Sequence, residues 1–119
     1  MTFGGISLAS SYKWYSHVKE IVRLYPYRTE RYDSLDNEAR KECDAVAAAC
    51  RLLDLEKDKD LRLQVITARH WSTQKRSLDL LEMDLFVSRT TMKRWDRAFL
   101  RNVAALLGVY STDDSTAGV

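Results

Sequence analysis

His17 and His70, with Cys43 and Cys50, are the chain's whole supply of imidazoles and thiols. A catalytic or structural metal needs three or four converging ligands, and neither histidine has plausible co-ligands nearby in the sequence, so no metal site is expected. The cysteines sit seven apart. On a helix that spacing separates them by about 10 Å along the axis, beyond the reach of a disulfide. They read as small buried thiols of a reducing, cytoplasmic compartment. No carboxylate pair, nucleophile–base arrangement or phosphate loop stands out, and four glycines are too few for a Gly-rich cradle. Neither a cofactor nor an enzymatic function is expected.

The residues that can do chemistry are cations. Residues 88–101 read Ser88-Arg89-Thr90-Thr91-Met92-Lys93-Arg94-Trp95-Asp96-Arg97, continuing to Phe99 and Arg101. At about 100° per residue, Met92, Trp95, Phe99, Val103 and Leu106 form one apolar stripe. Arg89, Thr90, Lys93, Arg94, Arg97 and Arg101 lie opposite as an uninterrupted basic face, with Asp96 at one edge. Trp95 and Phe99 share the apolar stripe and so read as core anchors. Such a helix suits double-stranded DNA. Arg89 and Lys93 can donate to guanine O6 and N7, and Thr90 can meet a base edge or a thymine methyl. Ser88, Thr91, Arg97 and Arg101 are placed for phosphates, and Arg94 belongs to the same basic face. The positive end of the helix dipole adds attraction for phosphate.

Charge along the chain agrees with this. The formal total is only +2. Residues 1–60 hold 10 basic and 11 acidic side chains, residues 61–110 hold 9 and 4, and residues 111–119 add only Asp113 and Asp114. The positive charge is thus concentrated where the basic face lies, as expected for a surface that meets a polyanion. The division expected is an N-terminal helical part over 1–60, a helix-turn-helix part over 61–110, and a disordered acidic tail over 111–119.

Periodicity predicts the elements that must position this face. The first helix is expected from about Ser11 to Tyr25, ended by Pro26 because the residue before a proline is pushed out of the α region. A polar connection follows to about Ser34. The second helix is expected over Asp36–Asp54, with a small-residue face from Ala45 to Cys50. The alternating charges Glu56 to Asp60 read as a solvated turn. A third helix is expected over Asp60–Trp71, broken by Ser72-Thr73, and a short fourth over Gln74–Met83. The last is expected to start at the N-cap Ser88 and reach Leu107, with Gly108 as the left-handed cap. No strand is predicted, so the fold class is all-α with about five helices. No stretch approaches the roughly 20 apolar residues of a membrane span, and no secretory signal is visible at the start.

The short helix, turn and longer helix over 74–101 form a helix-turn-helix pattern, whose second helix enters the major groove. Glu82 stands where such motifs usually carry a small residue, and Phe86 replaces the usual turn glycine. Trp14-Tyr15, Val18 to Ile21, Tyr25-Pro26, Leu61, Val65, Trp71-Ser72, and above all Thr91 to Gly108 carry a further likeness. Over residues 12–108 the chain resembles RinA/ArpU-like late-gene activators of phages and prophages, whose C-terminal half is similar to sigma factor region 4. The resemblance implies promoter binding, activation of late genes and contact with host RNA polymerase.

Two alternatives share these features: a phage small terminase-like DNA-packaging subunit, and a module that engages RNA polymerase without reading DNA. The aromatic residues Trp14, Tyr15, Tyr25, Tyr27 and Tyr32 read as packing groups, with any uncovered part a candidate homodimer surface.

Overall fold

The computed structural model describes residues 2–74 and 76–108, with side chains from residue 14 onward, so the expected tail lies outside the described residues. Five α-helices follow one another: α1 Thr2–Thr29, α2 Asn37–Leu53, α3 Lys59–Ile66, α4 Leu78–Leu85 and α5 Arg89–Leu107. A 3₁₀ turn, Tyr32–Ser34, precedes α2, and a π turn, Thr67–Trp71, extends α3. No strand occurs among the described residues, so the fold is all-α.

Local chemistry explains most boundaries. Asp36 caps α2 by accepting from the Ala39 amide at 2.8 Å. Ser88 caps α5 by accepting from the Thr91 amide at 3.2 Å, and Gly108 closes it at φ 78°, a left-handed conformation that glycine adopts without steric cost. The charged residues Glu56 to Asp60 are exposed around a turn.

Several boundaries depart from the sequence reading. α1 begins at Thr2 rather than about Ser11, and Pro26 does not end it: the helix runs on to Thr29 with the proline inside it. A proline removes the hydrogen bond to the carbonyl four residues earlier, here that of Val22. The Trp71 indole Nε1 donates to that carbonyl at 2.6 Å. The fourth helix starts at Leu78 rather than Gln74, because the Ser77 hydroxyl accepts from the Leu80 amide at 3.2 Å and fixes the first turn there. The third helix reaches Trp71 as expected, but its last turn widens, with the Ser72 amide donating to the Thr67 carbonyl five residues back at 2.8 Å.

Packing divides into two apolar clusters joined by α5. Val18, Ile21 and Val22 of α1, Ala45, Val46, Ala49 and Leu53 of α2, and Phe99, Leu100, Val103 and Ala104 of α5 bury one another around Ile66. Ala45 and Ala49, on the small-residue face of α2, lie buried in this cluster. The second cluster gathers Val65, Leu81, Val87, Met92 and Trp95, with Leu61, Ala68, Leu78 and Leu85 at its edge. Thus α3, α4 and the first half of α5 form a three-helix unit, while the second half of α5 belongs to the α1–α2 core. Cys43 is buried and Cys50 half-buried, both as free thiols, and burial pushes both thiols up from their ordinary value. Among the described residues no helix is long and apolar enough to cross a membrane.

Candidate nucleic-acid interface

The chain between α4 and α5 is short. Phe86 takes φ 57°, ψ 39° as the left-handed cap of α4, Val87 turns inward into the second cluster, and Ser88 starts α5. Phe86 therefore occupies the backbone conformation that a glycine would normally supply, with its ring 93% exposed. Glu82 does not collide with α5. Its Oε2 accepts from the Arg89 amide at 2.9 Å and so caps the incoming helix from outside.

The sequence-predicted site residues all lie on α5 or its cap. Ser88, Arg89, Thr90, Lys93, Arg94, Arg97 and Arg101 are exposed, and Thr91 is half-buried against the cap. Lys93, Arg94 and Arg101 have no carboxylate partner among the described residues, so their charges face solvent uncompensated. The Arg97 guanidinium stands 5.5 Å from the centroid of the Tyr15 ring of α1.

Four expectations about this helix are corrected. Asp96 is not at an edge: it is 2% exposed and lies on the buried side. Leu100 and Ala104 are also buried, in the cluster with α1 and α2, and Leu106 is 49% exposed. The expected basic residues from Arg89 to Arg101 nonetheless all remain exposed. Arg89 pairs with Asp79 of α4 and is not a free donor. The helix N-terminus also offers fewer amides to a phosphate than expected, since Glu82 and Ser88 already accept from those of Arg89 and Thr91.

Beneath the basic face sits a charge cluster that residue spacing does not reveal. Asp96 Oδ2 accepts from Arg69 Nε at 3.0 Å, and Asp96 Oδ1 lies 2.5 Å from His70 Nε2. His70, read from the sequence as isolated, is thus bonded to α5 with its side chain 7% exposed. Burial pushes the Asp96 carboxyl up, but the His70 bond and charge and the Arg69 charge and bond outweigh it and hold Asp96 below the usual range. The π turn makes this possible. Its wider winding reduces the angular step between residues, so Arg69, His70 and Trp71 in succession all reach partners on α5 or α1.

Among the described residues, no three or more His, Cys, Asp or Glu side chains gather to hold a metal ion. No family model, no curated protein and no solved structure matches the chain.

Proposed function

We propose that the chain is a sequence-specific, double-stranded-DNA-binding regulator of transcription that lays the first half of α5 in the major groove. The observation that carries this is the row Lys93, Arg94, Arg97 and Arg101, exposed on one helix and without a carboxylate partner among the described residues. Uncompensated cations at this density are costly to hold together and attract a polyanion. The preceding α4 and short turn supply the helix-turn-helix arrangement in which such a helix reads bases. The likeness of residues 91–108 to sigma-like late-gene activators supports activation of phage or prophage genes, with host RNA polymerase as a further partner.

Titration of a labelled duplex at two salt concentrations tests the reading. Binding should weaken steeply with salt, and Arg94→Ala and Arg101→Ala should each lower affinity for every sequence and reduce the salt slope by about 1. Selection from random-sequence duplexes should return a preferred site that Lys93→Ala relaxes. Wild-type affinity in all three variants would remove α5 from the interface.

A second reading is favoured by Leu80, Met83 and Phe86, which are 51%, 70% and 93% exposed along the outer side of α4. An apolar row of this kind is a subunit contact in an assembly, as in a DNA-packaging ring. Light scattering separates the two: a ring has eight or more subunits, and the regulator is a monomer or dimer.

A further inference from the structure

Cations from three elements far apart in the sequence converge where α1, the π turn and α5 meet. Lys19 Nζ stands 5.3 Å from the centroid of the Tyr15 ring, and Arg97 Cζ stands 5.5 Å from the same centroid. Beside them lies a cleft of about 360 Å³ lined by Ser16, Lys19, Glu20, Arg23, Arg69 and His70. The sequence places no function here, because residues 1–60 are nearly neutral in sum.

The disposition of charge in the cleft is selective. Glu20 is bonded by both oxygens to Arg23, at 3.0 and 2.5 Å, and Asp96 is buried and bonded to Arg69 and His70. Both acids are therefore already engaged. Lys19 and Arg97 share one aromatic ring, and neither has a carboxylate partner among the described residues. Arg69 is held through Nε alone, which leaves Nη1 and Nη2 without a partner among the described residues on a side chain 27% exposed. A guanidinium fixed at one edge by a buried carboxylate presents its remaining donors at small entropic cost, and such a fork matches phosphate oxygens.

We infer that this cleft is a second phosphate site, in which Lys19 and Arg69, with Arg97 beside it over the Tyr15 ring and the Glu20-paired Arg23 in its lining, take the backbone of the duplex that α5 enters. The inference rests on the DNA-binding reading and extends it to α1. Arg97 lies one turn beyond Lys93 on α5, so the cleft continues the basic face onto α1. Its lining is charged and hydroxylic, which suits a phosphodiester rather than an apolar peptide. The contact is to the backbone, so it strengthens binding equally on all sequences.

Fluorescence anisotropy with a labelled mixed-sequence duplex, at low and at physiological salt, provides the test on the full chain. Lys19→Ala should weaken binding several-fold at low salt and reduce the salt slope by about 1. Lys19→Glu should weaken it by about tenfold or more, and Arg23→Ala should weaken it less than Lys19→Ala. Lys41→Ala on α2 serves as the control and should change nothing. If Lys19→Glu and Arg23→Ala bind like wild type while Arg94→Ala is weakened, the cleft is not in the interface and the role of α5 stands. If the wild-type chain shows no salt-dependent affinity for the duplex, the DNA-binding reading falls and the cleft proposal with it.

Discussion

Trp71 replaces the hydrogen bond that Pro26 takes away. The carbonyl of Val22 is the one that the proline leaves without a helical donor, and the Trp71 indole reaches it at 2.6 Å from the far side of the chain. The same indole packs against Tyr25 at 5.7 Å and edge-on against Phe99 at 6.2 Å between ring centroids. Trp71→Phe keeps most of the ring contact but leaves a half-buried carbonyl unsatisfied, at a cost of about 1–3 kcal/mol. Pro26→Ala restores a helical donor to Val22, so Trp71→Phe should cost clearly less in that background. Urea denaturation of the two single variants and the double variant measures the coupling. Strict additivity would show that the two residues act independently.

The α1 boundary shows what the sequence could and could not disclose. Apolar spacing placed Val18, Ile21 and Val22 on the buried side, and it placed α5 between Ser88 and Gly108, because caps and periodicity are local signals. Whether Pro26 stops a helix depends on a donor 45 positions later, which no local pattern encodes. Asp96 shows the same limit. The sequence reading sets it at an edge of the basic face, and its burial depends on bonds to Arg69 and His70, 27 and 26 positions away, which no local pattern encodes. The exposed cations of α5 were legible because exposure follows from the opposite apolar stripe. The pairing of Arg89 with Asp79 was not, since it requires the packing angle of α4.

Asp96 should be the most sensitive single position in the core. Its carboxylate is the shared partner of Arg69 and His70, and removing one member of a buried charge cluster leaves the others uncompensated. Asp96→Ala should destabilise the fold by about 3–5 kcal/mol, more than His70→Ala. The pH dependence follows from the lowered ionisation of Asp96. Its folded value lies below the ordinary 3.8, so its contribution is complete well above that pH and is lost as pH falls through the folded value. Acid titration of stability below 3.8 should therefore be shallower in Asp96→Asn than in wild type. An equal slope in both would mean that Asp96 does not drive acid unfolding.

Phe86 holds a left-handed backbone with almost none of its ring covered. A side chain in that conformation costs about 1–2 kcal/mol, and the exposed ring returns little of it through burial. Glycine removes the strain, although its freer unfolded chain gives part of that gain back. Phe86→Gly should therefore stabilise the isolated protein by about 0.5–1 kcal/mol, read as a higher urea midpoint with an unchanged slope. A loss of stability would mean that the ring makes contacts within the fold.

Acidic side chains of α4 restrain the end of α5 that the proposed function puts in the groove. Asp79 pairs with the Arg89 side chain, and Glu82 accepts from the Arg89 amide at 2.9 Å. Both carboxylates lie where phosphates would approach, so they oppose the field of Lys93 and Arg94 and withhold one cation from the DNA. Asp79→Asn frees the Arg89 guanidinium. Glu82→Gln keeps an oxygen to accept from the amide while removing the charge, so the cap survives. Each variant should bind a mixed-sequence duplex several-fold more tightly than wild type at low salt. Asp79→Asn should also steepen the salt slope by up to about 0.9, the increment for one added phosphate contact. Anisotropy titrations at several salt concentrations give both quantities. Unchanged affinity in both variants would exclude the N-terminal turn of α5 from the DNA interface and leave Arg94, Arg97 and Arg101 to carry it.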